Sequence, residues 1–133
     1  MIQIPKFIYD AMIHHAKQGY PNEACGLLAS QDGQPVCQFF PMRNLDEASI
    51  SYFMDPKEQL QVFKKMRELG VQLRGIFHSH VASVAFPSQK DVRLAFYPEA
   101  SYLIASLSDQ TQPILRSFHI RDEKVQEEEV KLV

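Results

Sequence analysis

VQLRGIFHSHVASVAFPSQKD, residues 71–91, is the stretch on which the reading of this chain turns. Its first ten residues form an apolar run with strand character, and that run ends on His78 and His80. Alternation along a strand puts residues i and i+2 on one face, about 6.6 Å apart at about 3.3 Å per residue. At a strand end both imidazoles can swing toward one point. VASVAFP, residues 81–87, is a loop. Ser88 then opens SQKD, a capping pattern that places Asp91 in the first turn of a helix running to about Tyr97. The chain therefore has room to turn back and bring Asp91 over the two histidines.

Two imidazoles and a carboxylate suit zinc better than calcium or magnesium, which prefer shells of oxygen. A catalytic zinc site takes three protein ligands and keeps a fourth position for water. His78, His80 and Asp91 supply three. Each residue also has a plainer reading. A His-x-His pair can be solvated or satisfied inside a core. Asp91 can simply complement a helix dipole, and Ser88 can simply cap the helix. Their concentration in one short segment after an apolar strand is what favours a metal site. Hydrolysis also requires a proton handler, because zinc lowers the pKa of its water from about 15.7 to about 7 but the proton must still be taken up and returned. Glu23 is the candidate. It immediately precedes the apolar run ACGLLAS, though position alone favours an exposed loop acid.

Working outward, residues 4–19 carry Ile4, Phe7, Ile8, Ala11, Met12 and His15 at helical spacing, with Pro5 at the start and Gly19 as the stop. ACGLLAS and VCQFFPM are strands joined through Asp-Gly as a hairpin. RNLDEASIS is a loop and YFM a short strand. Asp55, Pro56 and Glu58 begin a helix that ends at Gly70, with Leu60, Phe63, Met66 and Leu69 as its apolar stripe. SYLIASL is a buried strand, and ILRSFHI and KVQEEEVKLV are two more, joined at RDEK. This order of elements predicts an α/β (α+β) fold, a mixed sheet covered by helices, in one domain over residues 1–133. Phe39, Phe40, Phe53, Phe63 and Phe96 are expected in the core. Phe77 and Phe86 flank the site and are expected to pack.

Composition excludes several classes. The chain is 45% hydrophobic and 23% charged, with a formal net charge of −2 and no basic block to bind nucleic acid. No segment has the charged start, apolar run and cleavage site of a signal peptide, and none approaches the length of a membrane span. Cys25 and Cys37 form neither a CxxC nor a disulfide framework. A soluble, reduced, cytoplasmic protein is expected.

Glu23, then His78-Ser79-His80, seven residues, Ser88, two residues and Asp91 resembles the JAMM motif of the MPN+ metalloproteases. PNEACGLLAS, YFMDPKEQL and GIFHSH resemble that family's opening strand, its strand and helix after the first hairpin, and its metal-bearing strand. The resemblance covers most of the chain and is weakest over roughly its last 25 residues. It implies a three-layer MPN fold related to the cytidine deaminases. It implies zinc held by His78, His80 and Asp91, with Glu23 activating water and Ser88 hydrogen-bonding the oxyanion. Ser79 would point away. Relatives often carry Pro after the second histidine, where this chain has Val81, which bears on loop rigidity and leaves the ligands unchanged. The compact length is similar to the small stand-alone prokaryotic members. These cleave after the C-terminal Gly-Gly of ubiquitin-like sulfur carriers, which would be the partner here.

The alternatives are a non-catalytic MPN scaffold, a zinc deaminase and a cysteine hydrolase. The scaffold reading sits poorly with five filled positions. The deaminase signature H-x-E…P-C-x-x-C and the zincin HExxH are both absent. Cys25 lies in an apolar run and reads as a small buried residue. Of the other histidines, at least one of His14 and His15 should face solvent, and His119 should be exposed or hydrogen-bonded.

Overall fold

The computed structural model describes residues 1–133. The His-x-His run lies in its central strand, and the other elements are placed around that strand. β1 is Ile2–Ile4, α1 Lys6–Gly19, β2 Cys25–Ser30 and β3 Val36–Met42. α2 is Pro56–Leu69, β4 Gln72–His80 and α3 Gln89–Arg93. β5 is Ser101–Ser106, β6 Ile114–Arg121, β7 Lys124–Glu128 and β8 Val130–Leu132. Six strands form one mixed sheet in the order β3-β2-β4-β5-β6-β7. β4 and β5 run parallel, and every other pair in that sheet is antiparallel.

Both faces of the sheet are covered, so the central strands are apolar on each side. On one face Ile8, Met12 and Ala16 of α1 pack with Ile2, Ile4, Leu28, Phe77, Leu103 and Ala105. On the other, Met66 of α2 joins Leu27, Ile76, Ile104, Phe118 and Ile120. Ile76, His78 and His80 alternate onto this second face, while Phe77 and Ser79 turn to the first. The result is the mixed sheet covered by helices expected from the order of elements, in the three layers that the resemblance implied.

Most local signals act where they were anticipated, but Glu58 closes no capping box with Asp55 and accepts instead from the Arg43 amide at 2.9 Å. Asp55 caps α2 by accepting from the Lys57 amide, Pro56 opens the helix, and Gly70 closes it in the left-handed conformation. Gly33 takes a positive φ of 71° in the β2–β3 turn. RDEK does join β6 to β7, but with Asp122 and Glu123 at φ 51° and 61°, a two-residue turn closed without glycine.

Several expectations need correction. The first helix begins at Lys6, and Ile4 belongs instead to β1. Its buried stripe is Ile8, Met12 and Ala16, with Phe7 exposed at 72%. In α2 only Met66 is fully buried, and Leu60 and Leu69 face outward. YFM is not a strand: only Met54 bridges, to Asn44. α3 stops at Arg93, with Leu94 as its C-cap, and does not reach Tyr97. KVQEEEVKLV breaks at Glu129, and β8 leaves the main sheet to pair parallel with β1. Phe39, Phe40 and Phe63 pack against the core, whereas Phe53 and Phe96 are exposed at 52% and 72%, and Phe86, also expected to pack, touches Phe118 edge-on but stays 46% exposed.

Phe77 has no solvent exposure and meets Phe39 edge-on at 6.0 Å between ring centroids. Phe77→Ala is expected to lower unfolding free energy by about 3–5 kcal/mol, since the cavity sits between sheet and helix where little can collapse. Urea denaturation of the two proteins measures the difference.

Candidate metal centre

His78 and His80 end the central strand, at the carboxyl edge where the chain leaves for α3 and returns as the parallel strand β5. Both are buried, at 1% and 5% exposure. Their Nε2 atoms lie 3.1 Å apart. Asp91 Oδ2 lies 3.2 Å from the first and 3.1 Å from the second. These are the three residues singled out in the sequence, and the fold brings their donor atoms into one small triangle.

The triangle fits a zinc ion. A tetrahedral site with bonds of about 2.0–2.1 Å has ligand–ligand edges of about 3.3–3.4 Å, within a few tenths of the spacing here. The donor chemistry agrees. His80 Nδ1 lies 2.8 Å from the Val84 carbonyl, which can only accept, so Nδ1 carries the proton and neutral His80 turns a bare Nε2 to the centre. His78 is held below the usual histidine range by complete burial, which outweighs its bond to Asp91, and so stays neutral. Burial also opposes charge on His80, but Asp91 and the Val84 carbonyl outweigh it and raise that ring. For Asp91, burial acts to raise the carboxyl, yet its bonds to His78 and His80 hold it far below the usual carboxylate range. Tyr52 stacks on the His78 ring, 4.6 Å between centroids and 25° between planes.

Ser88 and Asp91 realise both of their readings at once. Ser88 Oγ accepts from the Asp91 amide at 3.0 Å, and Asp91 Oδ2 accepts from the Ser88 amide at 2.9 Å, which closes a capping box. That box aims the same Oδ2 at the histidines. The Ser88 hydroxyl proton remains free to donate, and the residue is exposed.

Glu23 is buried at 6%, which corrects the exposed loop acid that its position alone favoured. Two clips hold its backbone there. The Ser79 amide donates to the Ala24 carbonyl and Ser79 Oγ accepts from the Ala24 amide, which pins the lead-in of β2 to β4. Ser79 thus faces away from the histidines, as expected. On the other side the Glu23 amide donates to the Ala48 carbonyl, and Asn44 Nδ2 donates to the Glu23 carbonyl at 2.9 Å. Asn44 also donates to the Ser51 carbonyl and accepts from the Asp46 and Phe53 amides, using its full capacity. Burial raises the Glu23 carboxyl to about 7, with the charge of His80 opposing and that of Asp91 assisting.

Asn44, Tyr52 and the Val84 carbonyl were not found by sequence reasoning. Their partners are backbone groups or ring faces, which leave no spacing signal. Beside Asp91 an apolar groove of about 230 Å³ runs between Ile50–Met54, Phe63 and Leu94–Tyr97. Cys25 is fully buried, and burial first, then Glu58, pushes its thiol up to about 12, which leaves a poor nucleophile. His14 is exposed, His15 bonds the Cys25 carbonyl, and His119 meets Glu128 at 3.2 Å. No helix is long and apolar enough to cross a membrane.

A family profile described as prokaryotic homologs of the JAB domain matches residues 5–121. The chain is 39% identical over 127 residues to the CysO-cysteine peptidase of Mycobacterium tuberculosis, covering 95% of this chain and 87% of that protein. It is 33% identical over 103 residues to the desampylase of Haloferax volcanii, covering 73% and 74%. A solution structure of a Desulfitobacterium hafniense protein, 46% identical, superposes with a TM-score of 0.91 over 100% of this chain and 93% of that one. The crystal structure of a JAB1/MPN domain protein from Archaeoglobus fulgidus, 16% identical, shares the fold at a TM-score of 0.66 over 99% and 97%.

Burial of Glu23 has a consequence for stability that can be measured without metal. Folded Glu23 holds its proton up to about pH 7 and the unfolded chain only to about 4.5, so between these values the unfolded state binds fewer protons. Stability therefore falls as pH rises through that window. Metal-free Glu23→Gln is expected to be more stable than metal-free wild type above pH 7 by about 1–2 kcal/mol, allowing for partial solvent screening. The advantage should vanish toward pH 4.5 in denaturant titrations at stepped pH.

Proposed function

The chain belongs to the prokaryotic JAB-domain family, and on that premise we propose that it is a zinc-dependent peptidase or isopeptidase. Its substrate in this reading is the bond after the C-terminal Gly-Gly of a ubiquitin-like or sulfur-carrier protein. The observation that carries the proposal is the buried triangle of His78 Nε2, His80 Nε2 and Asp91 Oδ2 with the buried Glu23 held beside it. Relatives named for cleaving CysO-cysteine and for desampylation support the choice of substrate class.

His78, His80 and Asp91 would hold the zinc. Bound there, zinc would supply Lewis acidity toward a water and toward the scissile carbonyl. The rest of the mechanism belongs to the chain. Glu23, buried at 6% exposure, can take the proton of the attacking water and return it to the leaving amine. Ser88 accepts from the Asp91 amide on one lone pair and keeps its O–H free, so it can donate to the carbonyl oxygen as negative charge develops there. The groove along Ile50–Met54 and Leu94–Tyr97 supplies an apolar bed for an extended tail. Its floor includes Tyr52, the residue stacked on His78.

The test begins with metal content. Protein purified without chelator or metal-affinity resin should carry about one zinc per chain, and His78→Ala/His80→Ala should carry none. Mass spectrometry of Gly-Gly-tailed carriers bearing a C-terminal cysteine or an isopeptide-linked lysine should then show release of that adduct. Glu23→Gln should keep the zinc and lose turnover by about 10²–10⁴-fold. Chelators should abolish cleavage, and thiol alkylation should leave it unchanged. Zinc bound without cleavage of any such carrier would favour the scaffold reading.

A further inference from the structure

Ser106 stands directly across the parallel β4–β5 pair from His80. It is 3% exposed, and its side chain belongs to neither the ligand set nor the groove. Its hydroxyl donates to the Ser83 carbonyl at 2.6 Å, and its Oγ accepts from the Ser108 amide at 3.3 Å. The carbonyl it grips is adjacent in the chain to that of Val84, the acceptor for His80 Nδ1. Residues 81–87 contain no helix or strand, and Ala82 and Ser83 offer no bulk to pack. The loop is held instead by the Ser106 bond, by the buried Ala85 and by the Phe86 amide, which also donates to the Val84 carbonyl. From beyond β5 the Leu107 amide donates to the His80 carbonyl at 2.9 Å, so ring and backbone of this histidine are both referenced to the end of one strand.

We propose that Ser106 is a positioning residue for the metal centre. By fixing the Ser83–Val84 segment it keeps the Val84 carbonyl on His80 Nδ1. The proton then stays on that nitrogen, and Nε2 stays bare and aimed at His78 and Asp91. A metal ligates through the nitrogen that has no proton, and the partner of the other nitrogen sets both tautomer and ring angle. Losing such an outer partner typically weakens metal affinity by about 10–100-fold. The inference rests on the zinc reading of the triad and is independent of which tail is cut.

Zinc affinity, measured by competition with a chromophoric chelator, tests it on wild type, Ser106→Ala, Ser106→Cys and Ser117→Ala. Ser117 is the control. It is equally buried and its hydroxyl is also bonded, to Glu128 at 2.8 Å, but that bond lies outside the metal triad and its loop. Ser106→Ala is expected to bind zinc about 10–100-fold more weakly, with Ser106→Cys intermediate and Ser117→Ala unchanged. The d–d absorption of the cobalt-substituted protein should shift in the Ser106 variants alone. If Ser106→Ala does not fold, the Cys variant carries the comparison. Wild-type affinity in a folded Ser106 variant, or an equal loss in Ser117→Ala, would overturn the proposal. A wild-type chain that takes up no zinc would overturn the metal reading beneath it.

Discussion

Three electron-rich atoms, two imidazole nitrogens and a carboxylate oxygen, face one another within 3.2 Å at the end of the central strand. Much of the structure follows from the need to hold that arrangement. Burial disfavours charge on the rings, and the negative Asp91 demands a cation or a proton between them. One proton can bridge a nitrogen to Oδ2, but it cannot satisfy both nitrogens. A doubly charged ion would satisfy all three donors together. The strand alternation, the capping box at Ser88 and the carbonyl of Val84 each constrain one donor, and none of them alone would produce the site.

The same economy governs Glu23. A carboxyl with 6% exposure has to be carried into position by its backbone, because no ion pair anchors the side chain. Ser79 and Asn44 do this from opposite sides, one tying β2 to β4 and the other tying the loop 43–54 to the residue itself. Asn44 links that loop to the Ser51 carbonyl and the Phe53 amide, so the acid and one wall of the groove are parts of a single hydrogen-bonded unit. Tyr52 lies within that unit and stacks on His78, which joins it to the His78-His80-Asp91 triangle.

The large apolar residues divide by their place in the fold. Phe77 and Phe118 are sealed between layers, while Ile50, Phe53 and Phe96 are exposed along the groove. Hydrophobicity alone predicts burial for all of them. Exposed apolar side chains gathered beside a polar centre mark a surface that buries them on binding. In the same way the sequence pattern over 94–97 looks helical, yet the helix ends at Arg93 and leaves Leu94, Phe96 and Tyr97 on the rim.

The spacing of His78, His80, Ser88 and Asp91 was readable from the chain because it is set by short-range geometry, strand alternation followed by a helix cap. The same holds for α2, whose Asp55, Pro56 and Gly70 are local signals, and for the β2–β3 hairpin with its Asp-Gly turn. Features that depend on distant partners were not readable. β1 is too short to show alternation, and its partner β8 is supplied by the other end of the chain. The burial of Glu23 depends on Ala48 and Asn44, and the orientation of His80 on a loop held by Ser106. Main-chain carbonyls and ring faces carry no residue-type signature at the position they contact. The sequence by itself therefore determined which atoms could ligate and the order of the main elements. Only the tertiary structure decided which acid is buried beside them, which residues hold them in place and which apolar side chains stay in the open.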